Sequence, residues 1–118
     1  MSYTVAELKA IVTEAQEAAY TAADAFENKY FPDGGWGACG FAWTNIYEHN
    51  GKKIKGNTKL GRNMKAAGIG QDWTRVFQIW NPSKYGTQNV DTLEAGARAA
   101  ADVFKRYGFT AYAGSRLD

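Results

Sequence analysis

The N-terminal thirty residues carry an apolar stripe that predicts an amphipathic helix about as long as the whole domain. Thr4 followed by Glu7 is a capping-box pattern, which places the helix start beside residue 5. A helix over residues 5–29 is about 37 Å long, and a compact chain of this size is about 35 Å across. The stripe consists of Leu8, Val12, Ala15, Ala19, Ala22 and Phe26. Either a later helix of the chain or a partner helix in a homodimer must cover it, and the sequence leaves both arrangements open.

Three strands are predicted after this helix, where apolar and aromatic residues alternate between turn signals. They lie at residues 40–48, 72–80 and 109–118. With helices between them, the order is α-β-α-β-α-β, which predicts an α+β fold: a small antiparallel sheet of three or more strands, a long N-terminal helix and two further helices. The 118 residues form one domain, with a possible dimerisation helix at 1–30 and the sheet and two helices at 39–118.

The two later helices have recognisable ends. Asn57 or Thr58 can cap the second helix, and Gly68 can close it. Asp91 begins a capping-box pattern for the third helix, and Gly108 stops that helix. The third helix carries its own apolar stripe of Leu93, Ala97, Ala101 and Phe104.

The composition predicts a cytoplasmic protein. A single cysteine, Cys39, excludes an internal disulfide and favours a reducing compartment. The first residues lack a basic segment followed by an apolar run, so no secretory signal is expected. No run approaches about 18 apolar residues, so we expect no membrane partner.

Side chains that carry catalysis are scarce. The one histidine, His49, precedes an Asn-Gly turn, and Cys39 has no evident partner for a nucleophilic pair or a zinc site. No phosphate-binding loop or nucleophile elbow stands in a suitable context. We therefore expect no enzyme, no cofactor and no metal.

The charge is unevenly distributed although the net charge is only +2. Residues 1–30 hold five acids and two bases, whereas residues 52–85 hold eight bases and one acid. Lys59, Arg62 and Lys65 recur at spacings of three along the second helix, whose N-terminus also favours a phosphate. A solvated helix face remains the alternative, but the basic segment is expected to attract an anion.

Aromatic and amide side chains suggest that the anion is a planar nucleotide. Four Trp, seven Tyr and six Phe exceed what a small core needs, and Trp36 and Tyr85 lie in glycine-containing loops. Exposed aromatic rings beside cations stack bases, and amides read base edges or ribose hydroxyls. Loop amides can equally serve turns. The candidate ligand-binding residues are Trp43, Asn45, Lys59, Arg62, Tyr85, Asn89, Tyr112 and Arg116.

Several segments together resemble a group of small phage-encoded proteins, the first Thoeris anti-defence family. The similar segments are CGFAW (39–43), GNTKLG (56–61), IWNPS (79–83), QNVD (88–91), EAGARAAADVF (94–104) and AYAGSRLD (111–118). The resemblance implies a protein that sequesters cyclic ADP-ribose isomers made by bacterial TIR-domain enzymes without cleaving them. It also implies dimers that assemble into hexamers in the host-cell cytoplasm and, in some members, separate sites for cyclic oligonucleotides. The similar segments nominate Arg62, Asn89 and Arg116 as ligand contacts.

Two other hypotheses stay open beside sequestration of a cyclic nucleotide immune signal. A phage module that binds single-stranded nucleic acid would use the same basic segment and aromatic rings. The net charge of +2 and the pI of 8.7 are modest for that role, so nucleic acid is the less favoured partner. The third hypothesis is a structural protein whose first helix forms a dimer.

Overall fold

The computed structural model describes residues 1–35 and 37–118. Trp36, which the sequence analysis placed among the loop aromatics, lies outside the described residues. The fold is α+β, as predicted. Its elements in chain order are α1 (Val5–Tyr30), β1 (Gly40–Tyr47), α2 (Lys59–Ala66), β2 (Gly70–Gln71), β3 (Phe77–Trp80), α3 (Val90–Arg106) and β4 (Thr110–Leu117).

The four strands form one antiparallel sheet in the order β2-β3-β1-β4. β1 is central: Trp43 lies opposite Trp80 of β3, and Asn45 lies opposite Tyr112 of β4. From β1 onward the chain follows the β-α-β-β-α-β order of ferredoxin-like folds, and α1 precedes that unit. No helix in the described part of the chain is long and apolar enough to cross a bilayer.

Helix α3 covers the apolar stripe of α1, so the intramolecular alternative is the one found. α1 packs along α3, and α3 also packs on β1 and β4. The approach is close at Gly96, where a Cβ atom would lie 3.1 Å from the Ala19 carbonyl oxygen. The buried positions of α1 are Leu8, Ile11, Ala15, Ala19 and Ala23.

The predicted stripe of α1 was therefore partly wrong. Val12, Ala22 and Phe26 are only half-buried, and Ile11 and Ala23 take core positions instead. The spacing of four between Ala15, Ala19 and Ala23 follows one ridge of the helix, which lets α3 pack closely on small side chains.

The helix ends follow local capping chemistry. The Thr4–Glu7 capping box forms, and Thr58, one of the two expected candidates, caps α2 by accepting a hydrogen bond from the Gly61 amide. Gly68 and Gly108 adopt positive φ where their helices end. The capping box expected at Asp91 does not form, because the N-cap is Asn89, two residues earlier.

The strand predicted over residues 72–80 is interrupted. The Asp72 carboxylate accepts hydrogen bonds from the Thr74 amide at 2.8 Å, the Thr74 hydroxyl at 2.6 Å and the Val76 amide at 3.0 Å. Such local bonds compete with a strand ladder, so residues 72–76 turn between β2 and β3. Arg75 in this turn has φ of +69°, a conformation that costs energy for a residue with a Cβ.

The two sides of the sheet differ in burial. Ala42, Thr44 and Ile46 of β1 point toward the helices and are buried, and Phe77 of β3 joins them in the core. The alternate residues of β1 point the other way and are half-buried or exposed.

Candidate functional site

The exposed side of the sheet is rich in aromatic side chains. We call it the aromatic face and define it by Phe41, Trp43, Tyr47, Trp80 and Tyr112. These residues alternate with the core positions of β1, β3 and β4, and the register places them beside one another. Arg116 of β4 lies opposite Phe41 on the same side of the sheet.

One end of the aromatic face combines three rings with a guanidinium. The ring centroids of Trp43 and Trp80 are 5.1 Å apart, and those of Phe41 and Trp80 are 6.1 Å apart. The Arg116 guanidinium carbon lies 5.4 Å from the Phe41 centroid and 5.9 Å from the Trp80 centroid. Phe41 and Trp80 remain 39% and 50% exposed, so a flat ligand can reach rings and cation together.

A glycine in β4 makes room for the central indole of this cluster. Gly114 lies opposite Trp43, and a Cβ at Gly114 would overlap the indole of Trp43. The missing side chain lets the Trp43 ring lie against β4. Trp80, on the other neighbouring strand β3, also contacts the Trp43 ring. The orientation of Trp43 therefore depends on a glycine.

The other end of the aromatic face holds two tyrosines and an amide pair. The Tyr47 and Tyr112 centroids are 5.5 Å apart, and the Gln78 amide donates to Asn45 Oδ1 at 3.1 Å. Burial, and then the neighbouring Tyr112, raise the pKa of Tyr47, so its phenol stays neutral and can donate a hydrogen bond. Rings and hydrogen-bonding groups thus lie side by side along β1.

A second region lies at the β2 edge of the sheet. We call it the basic cleft and define its charged lining as Lys53, Lys55, Lys65 and Arg75. The cleft has a volume of about 610 Å³, and the described residues that line it include no carboxylate. The other lining residues are Ile54, Gly56, Asn57, Gln71 and Thr74.

Backbone contacts hold the walls of the basic cleft together. Lys53 donates to the Thr74 carbonyl at 3.0 Å, which joins the loop after β1 to the turn before β3. Gln71 donates to the Arg75 carbonyl at 3.0 Å. Nearby, burial opposes ionisation of Asp72, but hydrogen bonds from Thr74 and Val76 and the Lys53 charge outweigh it and lower the pKa of Asp72.

The eight candidate residues from the sequence do not form one site. Four of them lie together on the exposed side of the sheet: Trp43, Asn45, Tyr112 and Arg116. Lys59 and Arg62 lie exposed on α2, outside the lining of the basic cleft, and Arg62 donates to the Asn57 carbonyl at 2.5 Å. Helix spacing predicted that Lys59, Arg62 and Lys65 act together, but only Lys65 reaches the cleft.

Tyr85 and Asn89 hold α1 to the start of α3. Tyr85 donates to the Asp24 carboxylate at 2.9 Å, and this hydrogen bond raises the pKa of Tyr85 to about 12. The buried amide of Asn89 accepts from the Gly37 amide at 2.8 Å and donates to Glu27 at 3.2 Å. Their polar atoms are engaged within the fold, so we assign them structural roles.

The eight candidates omit four residues of the exposed sheet side and all four cations of the cleft. Phe41 and Trp80 join the ring cluster, Tyr47 pairs with Tyr112, and Gln78 pairs with Asn45. The cleft cations are Lys53, Lys55, Lys65 and Arg75. Phe41 and Trp43 are two residues apart in the first predicted strand, so side-chain alternation places both rings on one side and could have identified Phe41 as a site residue. The contribution of Trp80 depends on the register of β3, which the sequence does not fix.

Among the described residues, no group of three or more His, Cys, Asp and Glu side chains is placed to hold a metal ion. Comparison with family models, with curated proteins and with solved structures finds no match. The function is therefore argued from the geometry of the aromatic face and the basic cleft.

Proposed function

We propose that this chain binds a nucleotide on the aromatic face and releases it unchanged. The observation that carries the proposal is the Arg116 guanidinium over Phe41 and Trp80, with Trp43 beside them. A base stacks on half-exposed rings, worth about 1–3 kcal/mol per base. The guanidinium offers paired donors to a phosphate oxygen next to that base.

The middle of the face supplies polar recognition in this proposal. Asn45 and Gln78 are joined through one hydrogen bond and lie between the ring cluster and the tyrosine pair. Amides can donate to and accept from a base edge or a ribose hydroxyl. A nucleotide would then meet rings, a cation and the half-buried Asn45 amide, to which the buried Gln78 donates.

The ligand implied by the family resemblance is a cyclic ADP-ribose isomer, held intact and so withdrawn from signalling in bacterial anti-phage defence. The juxtaposition of one cation with several rings supports it, because such a ligand carries its diphosphate close to its base. A small ligand on an open surface is held tightly only if something covers it. A second copy of the chain in a homodimer, itself part of a hexamer, is the cover we propose.

A second candidate function is binding of single-stranded nucleic acid, and the length of the face favours it. Trp43 and Tyr47 are four residues apart on β1, which is about 13 Å at 3.3 Å per residue. The ring cluster and the tyrosine pair therefore offer separate stacking places for two bases. Sheet faces with exposed aromatic residues bind single strands in this way.

One experiment separates these functions. The protein is incubated with cyclic ADP-ribose isomers, and separately with a short oligothymidine, then heat-denatured, and the supernatant is analysed. Protection and release of the intact isomer support sequestration, whereas saturable binding of the oligonucleotide alone supports the nucleic-acid function. A chemically altered isomer would make the protein an enzyme, and no binding of either compound would overturn the proposal.

The matched variants are Arg116→Ala on the aromatic face and Tyr30→Ala at the end of α1. Tyr30 is 55% exposed and lies on a helix outside the sheet, so its loss removes an exposed ring without touching the face. Binding should fall for Arg116→Ala and stay unchanged for Tyr30→Ala. Equal affinities for the two variants would remove Arg116 from the site.

A further inference from the structure

The basic cleft lies apart from the aromatic face. Gln71, which lines the cleft, pairs with Phe77, whose side chain points into the core on the helix side of the sheet. Trp80 points the other way, so the ring cluster and the Gln71 wall of the cleft lie on opposite sides of the sheet.

The four cations of the cleft are not neutralised by ion pairs. The ion pairs within the described residues join Arg98 to Glu94, Lys105 to Asp102 and Arg106 to Glu14, all on α1 or α3. Asp72 is the nearby carboxylate, and its oxygen is held by the turn to Val76. Asp72 offsets part of the Lys53 charge, and the remaining like charges around the concavity repel one another, a repulsion that a bound anion relieves.

Two backbone positions of the cleft lie beside or carry its cations. A Cβ at Gly56 would lie 2.8 Å from the Lys65 ammonium nitrogen, so glycine leaves the space that the lysine end occupies. Arg75 adopts φ of +69°, an energetically unfavourable conformation that the Asp72 turn maintains. Asn57 and Thr74 add hydrogen-bonding side chains to the same walls.

We propose that the basic cleft binds a diphosphate group. Four cations match the charge of a diphosphate, which carries two or more negative charges within one small volume. The volume of about 610 Å³ exceeds a diphosphate alone and has room for a nucleoside attached to it. This site does not rest on the proposed function of the aromatic face, because the two regions share no residue.

Calorimetric titration of the intact protein with inorganic pyrophosphate tests the proposal, with ADP and sulfate titrated in parallel. The double variant Lys55→Gln, Lys65→Gln removes two cleft charges. The control double variant Lys9→Gln, Lys84→Gln removes the same charge outside the cleft, on α1 and in the loop after β3. Thermal unfolding monitored by circular dichroism checks that both variants fold.

The cleft variant should bind pyrophosphate at least about tenfold more weakly than wild type. The control variant should stay within about twofold of wild type. Tighter binding of ADP than pyrophosphate assigns the ligand as a nucleoside diphosphate, and the reverse order assigns free pyrophosphate. Equal losses in both variants, equal affinity for sulfate and pyrophosphate, or no saturable binding to wild type would overturn the diphosphate site.

Discussion

We propose two different ways of holding an anion on one small sheet, one at the aromatic face and one at the basic cleft. On the face, the single cation Arg116 lies over the rings of Phe41 and Trp80, so much of the contact area is flat and apolar. In the cleft, four cations and the polar side chains of Asn57, Gln71 and Thr74 line one concavity. Stacking depends weakly on ionic strength, whereas a cluster of exposed charges is strongly screened by salt. The face is thus suited to bases and the cleft to phosphates.

The largest predicted effect comes from removing both contributions at the face. The double variant Trp80→Ala, Arg116→Ala loses a stacking ring and the adjacent phosphate donor, so nucleotide affinity should fall at least about 100-fold. Pyrophosphate affinity should be unchanged in the same protein. Fluorescence anisotropy of a labelled ligand and calorimetry measure the two affinities. A parallel loss of both would show that the regions are not independent.

The next prediction adds a side chain beside the cleft instead of removing one from the face, by replacing a glycine of α2. A Cβ at Gly61 would overlap the Lys55 carbonyl oxygen and lie 2.8 Å from the Gly56 Cα, so α2 cannot keep its place against the cleft wall. Gly61→Ala should lower the free energy of unfolding by about 1–3 kcal/mol and weaken pyrophosphate binding. Urea unfolding gives the first quantity. An unchanged urea midpoint with unchanged pyrophosphate affinity would show that this contact is not required.

A smaller effect is expected from the glycine under the central indole. Gly114→Ala pushes the Trp43 ring away from β4, and because Trp43 also contacts Trp80, the cluster loosens. We expect a loss of about 1 kcal/mol in stability and a few-fold loss in nucleotide affinity, with the cleft unaffected. Ala113→Gly, one residue earlier on the helix side of the sheet, is the comparison variant. Nucleotide affinity reduced by Ala113→Gly and not by Gly114→Ala would contradict the assignment of the face.

The smallest effect concerns a residue outside both regions. Because the hydrogen bond to Asp24 raises the pKa of Tyr85 to about 12, its neutral form is favoured in the folded state. The stabilisation is complete below pH 10 and is lost as pH rises from about 10 to about 12, where the unfolded chain ionises first. Tyr85→Phe should reduce the dependence of the free energy of unfolding on pH in this range and leave both ligand affinities unchanged. If Tyr85→Phe altered either ligand affinity, Tyr85 would have to be assigned to a binding site.

Much of the fold could be predicted from local sequence because its signals are local. The capping box at Thr4, the glycine ends at Gly68 and Gly108 and the apolar stripe of α3 each lie within one helix. The choice between Val12 and Ile11 depends instead on where α3 lies. The turn at Asp72 depends on side-chain hydrogen bonds that compete with a strand.

The two regions differ in how far the sequence reveals them. Trp43 and Tyr112 could be assigned to a face because side chains alternate along a strand, whereas Asn45 was chosen as an amide and Arg116 from the family resemblance. Their neighbour Trp80 required the register of β3 against β1. The basic cleft combines residues 53–57, Lys65, Gln71 and residues 74–75, and only the folded chain brings these segments around one concavity.

The central claim is that nucleotide bases stack on the aromatic face, and the indole N–H signals of the tryptophans test it directly. The intact protein is titrated with cyclic ADP-ribose isomers and with oligothymidine while these signals are followed by NMR. The account predicts that Trp43 and Trp80 shift with one shared dissociation constant. It also predicts that Trp73, which is 94% exposed on the turn beside the cleft, does not share that dissociation constant and keeps its position with oligothymidine. Shifts confined to Trp73, or no saturable shift of Trp43 and Trp80 with either ligand, would contradict it.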